Sequence, residues 1–190
     1  MHQRTLQDLH KEYTELDINK IWFISDTHFY HRNVIKYCDR PFIDAEEMNE
    51  TIIKNWNSVV KEDDIVWHLG DFALGGKELF ASLVERLNGN IYLVYGNHDR
   101  TNTSFSKEVG FTKFFKGPII LDDKFVLTHK PLKDKLLEEA IQNNIKNIFG
   151  HIHNSDEFDT WNENYACMCV EKHNYTPVPY AKILEYFKVN

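Results

Sequence analysis

Several features are scarce in this 190-residue chain, and each scarcity excludes a class of protein. It has three cysteines, Cys38, Cys167 and Cys169, and no Cys-x-x-Cys spacing. A disulfide framework or a zinc ribbon is therefore disfavoured, and a reducing compartment is expected. No segment has the ~18 successive apolar residues of a membrane span, and residues 1–5 lack the apolar run of a signal peptide. We expect a cytoplasmic protein with no membrane partner.

Positive charge is scarce as well. The chain has 22 Lys and Arg against 29 Asp and Glu, which gives a formal net charge of −7. This balance argues against non-specific binding along nucleic acid, because the phosphates would repel the protein. It does not exclude a nucleotide in a metal-lined pocket, where the ions supply the positive charge.

The composition is otherwise that of a folded globular protein, with 42% hydrophobic and 27% charged residues. At this length we expect residues 1–190 to form a single domain, with an N-terminal helical extension over residues 1–18. The extension is predicted from four residues whose spacing fits one face of a helix over residues 5–16: Leu6, Leu9, Tyr13 and Leu16.

Strand and helix patterns alternate along the rest of the chain. Strands are predicted at residues 21–25, 65–69, 91–95 and 147–150, and helices at 31–38, 44–60, 77–87, 132–143 and 179–187. Residues 113–121 and 124–128 predict a hairpin around Asp122-Asp123, and a late strand is predicted over residues 165–171. The alternation predicts a layered α/β fold. The hairpin and the late strand indicate a mixed sheet or two sheets packed together.

Polar residues follow the predicted strands directly. The strand over residues 91–95 ends at Gly96, and Asn97, His98 and Asp99 come next. An asparagine oxygen can bind a metal, a histidine can supply a proton near neutral pH, and an aspartate can hold that imidazole in place. α/β folds place their chemistry beyond the ends of core strands. Further candidates after other strands are Asp26, His28, Asp71, His129, His151 and His153.

These candidates offer carboxylate oxygen and imidazole nitrogen and no thiolate, a set that suits Mn²⁺, Fe or Zn²⁺. Seven candidate ligands exceed the roughly four to six that one ion takes, so two ions are expected. Asp71 follows the middle strand and has two carboxylate oxygens, which makes it the natural bridge between them.

Each motif alone has a simpler explanation. Asp26-Thr27-His28 and Gly70-Asp71 each fit a turn or a helix cap, and Asn97-His98-Asp99 fits an Asx turn. The pair His151 and His153 beyond a glycine is harder to explain structurally. All the motifs together, each after a strand, favour a metal site.

The motifs Asp-x-His (26–28), Gly-Asp (70–71), Gly-Asn-His-Asp (96–99), His (129) and Gly-His-x-His (150–153) occur in this order within residues 21–153. Together they resemble the calcineurin-like metallophosphoesterase superfamily. The chain also resembles a subgroup of small bacterial and phage phosphoesterases. That likeness is carried by residues 26–35, Arg40-Pro41-Phe42, Val170-Glu171 and residues 174–178.

The resemblance implies an α/β fold, a four-layer α/β/β/α sandwich with two mixed sheets and the metals where the strands end. It implies that Asp26, His28 and His153 bind the first metal, and that Asp71 bridges to the second. The other three ligands of the second metal would be Asn97, His129 and His151. In this family pattern His98 is the catalytic histidine and Asp99 is its orienting partner.

The implied activity is hydrolysis of phosphate esters by attack of a hydroxide held between two metal ions. A phosphodiesterase is preferred, because compact members of the family often have open sites that admit diesters. A phosphomonoesterase, a non-catalytic metal-binding scaffold and a mononuclear hydrolase are the alternatives. Mn²⁺ is the first choice of metal, with Fe, Zn²⁺ or Ni²⁺ as options.

The expected partner is a small phosphate ester, with a nucleotide as one option. Three residues near the motifs are candidates for substrate contacts: His31, Arg32 and Arg40. The sequence leaves the oligomeric state open.

Overall fold

Two five-stranded mixed sheets organise the chain, which a computed structural model describes over residues 5–14, 17–100, 102–155 and 161–189. The strands of these residues are, in chain order, β1 (His10–Glu12), β2 (Ile21–Ile24), β3 (Ile65–His68), β4 (Asn90–Val94), β5 (Lys113–Phe115), β6 (Ile119–Leu121), β7 (Phe125–Leu127), β8 (Lys146–Phe149), β9 (Tyr165–Cys167) and β10 (Val178–Pro179).

The first sheet has the order β10-β2-β3-β4-β5, and the second sheet has the order β1-β6-β7-β8-β9. In the first sheet β2 to β5 run parallel, and β10 pairs antiparallel with β2 at one edge. In the second sheet β6 and β7 are antiparallel, and the other pairs are parallel. Parallel neighbours end at the same edge of a sheet, so residues that follow them along the chain come together.

Helices pack around both sheets. Within the described residues they are α1 (Arg32–Tyr37), α2 (Ala45–Val59), α3 (Lys77–Arg86), α4 (Thr103–Glu108), α5 (Asp134–Gln142) and α6 (Tyr180–Phe187). Among the described residues we find no helix with the length and apolarity to cross a membrane.

The two sheets pack face to face through large apolar side chains. Phe23 and Trp67 of the first sheet meet Phe125 and Ile148 of the second in one buried cluster. Side chains of α2 and α3 pack on the other face of the first sheet, and α5 packs on the other face of the second. Strands covered on both faces explain why segments such as residues 91–95 are almost continuously apolar. The predicted four-layer α/β/β/α sandwich with two mixed sheets is confirmed.

Helix α2 begins where its sequence predicts. The Asp44 carboxylate accepts a hydrogen bond from the Glu47 backbone N–H (2.9 Å), and the Glu47 carboxylate accepts one from the Ile43 N–H (2.6 Å). Such bonds satisfy N–H groups that have no partner inside the first helical turn. Met48 and Trp56 lie on the buried stripe of the helix and anchor it against the first sheet.

The predicted helix over residues 5–16 is wrong for the described residues. Leu6–Asp8 form a single 3₁₀ turn, and β1 then pairs in parallel with β6. Leu6 and Leu9 are buried as predicted, but they pack beside α5 and the second sheet. Local spacing predicted burial correctly for Leu6 and Leu9 but not for Tyr13, which is 58% exposed. The pairing with a strand more than a hundred residues away decided the backbone conformation. Leu16 lies outside the described residues.

The predicted hairpin is only half right. The turn at Asp122-Asp123 does connect β6 and β7, but residues 113–121 are not one strand. The chain breaks at Gly117-Pro118, and β5 joins β4 in the first sheet. A proline removes a ladder donor and favours such a break. The late strand is also shorter than predicted, because β9 ends at Cys167 and Val170–His173 form a 3₁₀ turn.

One buried side chain fixes the loop after β7. Asn147 is 1% exposed, and its Nδ2 donates to the carbonyl of Val126 and to the hydroxyl of Thr128, both at 2.9 Å. Its Oδ1 accepts from the backbone N–H of Leu132 at 2.8 Å. Asn147 therefore holds both sides of the segment that carries His129.

We expect Asn147→Leu to lower the free energy of unfolding by about 2–4 kcal/mol, since it leaves buried polar groups without partners. Urea unfolding of the variant and the parent protein measures this difference. Asn143→Leu, at an exposed position after α5, is the matched control and should change stability by less than about 0.5 kcal/mol. Equal losses in the two variants would contradict the assigned role of Asn147.

Candidate metal centre

The polar residues predicted from the sequence meet at one edge of the two sheets. Asp26, Asp71 and Asn97 follow the parallel neighbours β2, β3 and β4, while His129 and His151 follow the parallel neighbours β7 and β8. Backbone hydrogen bonds continue beyond the strands and tie these loops together. The N–H of Asp26 donates to the carbonyl of Gly70 at 3.0 Å, and that of Gly150 donates to the carbonyl of His129 at 2.9 Å.

Two clusters of potential ligands face each other at this edge. Asp26, His28 and His153 form the first half-site, and their ligand atoms lie within 4.8 Å of one another. Asp71, His129 and His151 form a second cluster of the same size. We call His129 and His151, together with Asn97, the second half-site, and treat Asp71 separately.

Asp71 lies between the two half-sites. Its Oδ2 is 3.5 Å from Nε2 of His28 and 3.4 Å from Nε2 of His129. The Oδ1 of Asn97 is 3.0 Å from the same nitrogen of His129. All seven predicted ligands therefore lie close together, and the Asp71 carboxylate is within contact distance of imidazoles from both half-sites.

The Asp26 carboxylate indicates that the first half-site suits a cation. Its Oδ2 accepts from the His151 backbone N–H (2.7 Å), from the Cys169 thiol (3.3 Å) and from the Ser25 hydroxyl. Its Oδ1 is buried and has no hydrogen-bond partner among the described residues. This oxygen lies 3.7 Å from Nε2 of His153. A buried carboxylate oxygen without a partner is unfavourable unless a cation binds to it.

Two imidazoles are held in the tautomer that a metal ligand needs. Nδ1 of His129 donates to the carbonyl of Leu69, and Nδ1 of His153 donates to the carboxylate of Glu171, each at 2.8 Å. Because these oxygens only accept, Nδ1 of each ring carries a proton, and Nε2 of each ring is directed into the site, where a metal ion would bind in place of a second proton.

Burial shapes the electrostatics of the histidines. It lowers the pKa of His28 to about 3, and burial together with the charges of His129 and Lys130 lowers the pKa of His151 to about 4. Both rings are thus neutral and able to bind a metal. Burial also disfavours charge on His153, but hydrogen bonds with Cys38 and Glu171 and the charge of Asp26 outweigh it and raise its pKa to about 10. The Asp26 and Glu171 carboxylates beside His153 therefore favour positive charge at its ring.

Comparison with known proteins identifies the family of this chain. Residues 20–167 match the model of the calcineurin-like phosphoesterase superfamily domain. The chain belongs to the calcineurin-like phosphoesterase superfamily. The resemblance stated from the sequence motifs is confirmed, and the family makes this a metal-dependent phosphoesterase in general terms.

Relatives of this phosphoesterase occur in an archaeon, a phage and a bacterium. The chain is 38% identical over 181 residues to an uncharacterized protein of Methanocaldococcus jannaschii, covering 92% of this chain and 96% of that protein. It is 35% identical over 85 residues to the Gene 66 protein of Mycobacterium phage L5, covering 43% and 41% of the two chains. The crystal structure of a protein of unknown function from Aquifex aeolicus matches with a TM-score of 0.69 and 30% identity, over 87% of this chain and 97% of that one.

Asp99 of this phosphoesterase, predicted to orient the His98 ring, accepts hydrogen bonds from backbone groups. Its Oδ2 accepts from the backbone N–H groups of Asp71 (2.7 Å) and Gly96 (2.8 Å), and its Oδ1 accepts from that of Phe72 (2.9 Å). Both oxygens are thus occupied by backbone groups, so Asp99 holds the Asp71 loop against the end of β4. His98 is exposed, and its backbone N–H donates to Oδ1 of Asp71 at 2.8 Å.

Arg40 is not placed to contact a substrate, and this prediction is wrong. It is 4% exposed and lies beneath the first half-site. Its guanidinium donates to the carbonyls of Asp26 (2.6 Å) and Thr27 (2.9 Å) and to the Glu171 carboxylate (2.7 and 2.9 Å). The local sequence, with a proline after the arginine, gave no sign of this burial.

Glu171 contacts the candidate ligand His153 but was not among the candidate site residues predicted from the sequence. The available signal was the pairing of Arg40-Pro41-Phe42 with the late segment around Val170-Glu171, since both belong to the subgroup pattern. The structure brings these segments together, with the rings of Phe42 and Tyr175 at 4.7 Å between centroids.

His31 and Arg32 lie at the rim of the site. The His31 ring is half-buried, and its centroid is 5.3 Å from that of His28. Its Nδ1 is buried and has no hydrogen-bond partner among the described residues. Arg32 is exposed at the first position of α1. Both remain predicted substrate contacts.

We expect Gly96→Ala to displace Asp71, because a Cβ at this position would overlap the Asp71 carboxylate and its backbone nitrogen. The variant should hold less metal after reconstitution and lose about 1–3 kcal/mol of stability. Elemental analysis and urea unfolding measure the two effects.

Gly76→Ala is the matched control, because its Cβ would meet only Glu78 Oε2, at 3.6 Å, before α3. It should keep the parent metal content and lose no more than about 1 kcal/mol. Parent-like metal content in Gly96→Ala would show that the close approach to Asp71 is unimportant.

Proposed function

We propose that this chain is a dinuclear metal-dependent phosphodiesterase. The observation that carries the proposal is the position of Asp71 Oδ2, 3.5 Å from a ligand nitrogen of the first half-site and 3.4 Å from one of the second. One carboxylate between two imidazole clusters is suited to two ions, whereas a mononuclear hydrolase needs no such bridge. This supports the dinuclear form of phosphoesterase chemistry over the mononuclear alternative.

In the proposed site the first ion is held by Asp26, His28 and His153, and Asp71 is shared. The second ion is held by Asn97, His129 and His151. Mn²⁺ is the preferred metal, with Fe, Zn²⁺ or Ni²⁺ as alternatives, because oxygen and imidazole ligands accept all of them. When bound, the two ions supply positive charge for the phosphate oxygens and lower the pKa of a water molecule toward neutrality.

His98 is the proposed proton donor. Its ring is exposed at the mouth of the site, and its centroid is 5.6 Å from that of His28. A phosphate ester bound at the first half-site is therefore within reach of the imidazole. The ring can donate a proton to the leaving oxygen or a hydrogen bond to a phosphoryl oxygen. Asp99 supports this step indirectly, since it fixes the loop from which His98 projects.

The proposed substrate is a small phosphate diester, with a nucleotide as one option. Asn97 and His98 are exposed, so the site is open on the side of the second half-site. This openness leaves room for the second ester group of a diester. His31 and Arg32 are the proposed contacts to the substrate, and the proposed domain spans residues 1–190.

We expect chelator-treated protein to hydrolyse bis-p-nitrophenyl phosphate after Mn²⁺ is restored, and to do so faster than p-nitrophenyl phosphate. Asp71→Asn should lose metal and activity together, because the bridging charge is gone. Absorbance of released nitrophenolate and elemental analysis measure the outcome. Asp63→Asn, at an exposed position, is the matched control and should behave like the parent.

The outcomes separate the alternatives. Preference for the monoester would replace the proposal with a phosphatase. Two bound ions without hydrolysis of either compound would favour a metal-binding scaffold.

We expect His98→Ala to keep its metal but to lower kcat by ~10²–10⁴, the usual contribution of general acid catalysis. Steady-state kinetics with the diester, alongside elemental analysis, tests this. His10→Ala removes an exposed histidine of β1 and serves as the control with parent kcat. A parent-like kcat in His98→Ala would rule out the assigned proton transfer.

A further inference from the structure

Arg40 uses its whole guanidinium to hold groups behind the first half-site. Nε and one terminal nitrogen donate to Oε1 of Glu171, and the same terminal nitrogen donates to the carbonyl of Asp26. The other terminal nitrogen donates to the carbonyl of Thr27 and contacts the sulfur of Met48 at 3.3 Å. A lysine could not reproduce this planar set of donors.

The two carbonyls belong to a backbone segment with an unusual conformation. Asp26 has φ of 59° and His28 has φ of 49°, in the left-handed region that residues other than glycine rarely adopt. Such a conformation persists only when surrounding contacts enforce it. The bonds from Arg40 to the carbonyls of Asp26 and Thr27 enforce it here, and they thereby fix two of the candidate ligands.

Glu171 connects Arg40 to the third ligand of the same half-site. Its Oε1 accepts from Arg40 and also from Nδ1 of His153, which lies 2.8 Å away. The Glu171 side chain is 6% exposed and that of Arg40 is fully buried. The pair is therefore removed from water, and solvent screens its interaction with His153 only weakly. A carboxylate behind a ligating imidazole orients the ring and makes Nε2 a better ligand.

Among the described residues, no buried ion pair lies behind the imidazoles of the second half-site, where Asp99 binds only backbone N–H groups. There the ring of His129 donates to a neutral carbonyl, that of Leu69, and Asn97 is exposed. Arg40 and Glu171 are thus in contact with ligands of the first half-site alone.

We propose that Arg40 and Glu171 are positioning residues that set the metal affinity of the first half-site independently of the second. This inference rests on the proposed function, since it assumes that the centre binds two ions. It predicts a selective effect: loss of either residue weakens the binding of one ion and leaves the binding of the other unchanged.

Calorimetric titration of chelator-treated protein with Mn²⁺ tests the proposal. We expect the parent protein to bind two ions, and Glu171→Gln to bind one of them ~10–100-fold more weakly with the other unaffected. His153→Ala, which removes a ligand of the first half-site, identifies which of the two binding events belongs there. Arg40→Lys should weaken the same binding event. It is included as a second variant because Glu171→Gln leaves the buried guanidinium of Arg40 without its carboxylate partner, which lowers the stability of the fold.

Arg86→Lys and Glu50→Gln are matched controls, because these residues form an exposed Arg–Glu pair on α3 and α2. Both should bind two ions with parent affinity. If Glu171→Gln and Arg40→Lys bind both ions equally more weakly, the two residues have a general structural role and the inference is overturned. Parent-like binding in both variants would also overturn it. If the parent protein itself binds fewer than two ions, the proposed function fails first, and the two failures are thereby distinguished.

Discussion

The Asp71 carboxylate is the group that both halves of the candidate metal centre contact. One oxygen faces imidazoles of the two half-sites, and the other accepts the backbone N–H of His98. Its position is fixed in turn by Asp99, which binds the backbone of Asp71 and of Gly96. A carboxylate that could swing away from this position would leave the two clusters of candidate ligands separate, so the rigidity of this loop keeps them together.

The rest of the fold supplies that rigidity. Parallel strands end at the same edge, and the two sheets bring their edges together, so ligands distant in sequence become neighbours. The backbone then turns sharply, and five candidate ligands have positive φ: Asp26, His28, Asp71, His151 and His153. Strain of this kind is tolerated at functional sites where surrounding contacts enforce it. Gly150 allows the closest approach, because a Cβ there would overlap Ser25 and Asp26.

Buried charge in this phosphoesterase is arranged in pairs that run outward from the metal centre. Asp26 faces His28 and His153, His153 faces Glu171, and Glu171 faces Arg40. Each charge is offset by the next, which avoids the large free-energy penalty of an isolated buried ion. The two subgroup segments, around Arg40 and around Glu171, meet in this series, where their charges neutralise each other beneath the first half-site.

The sequence by itself determined the layered fold, the cap of α2 and the set of candidate ligands. These follow from local signals, namely apolar runs, a capping pair, and polar residues directly after strands. Only the tertiary structure decided that residues 10–12 form a strand, that Arg40 is buried and that Asp99 holds the backbone around Asp71. Each of these depends on hydrogen bonds between residues far apart in the chain or in different loops. A strand at a sheet edge and a buried arginine have no periodicity of their own, because their partners, β6 and Glu171, are set by the packing of the whole molecule.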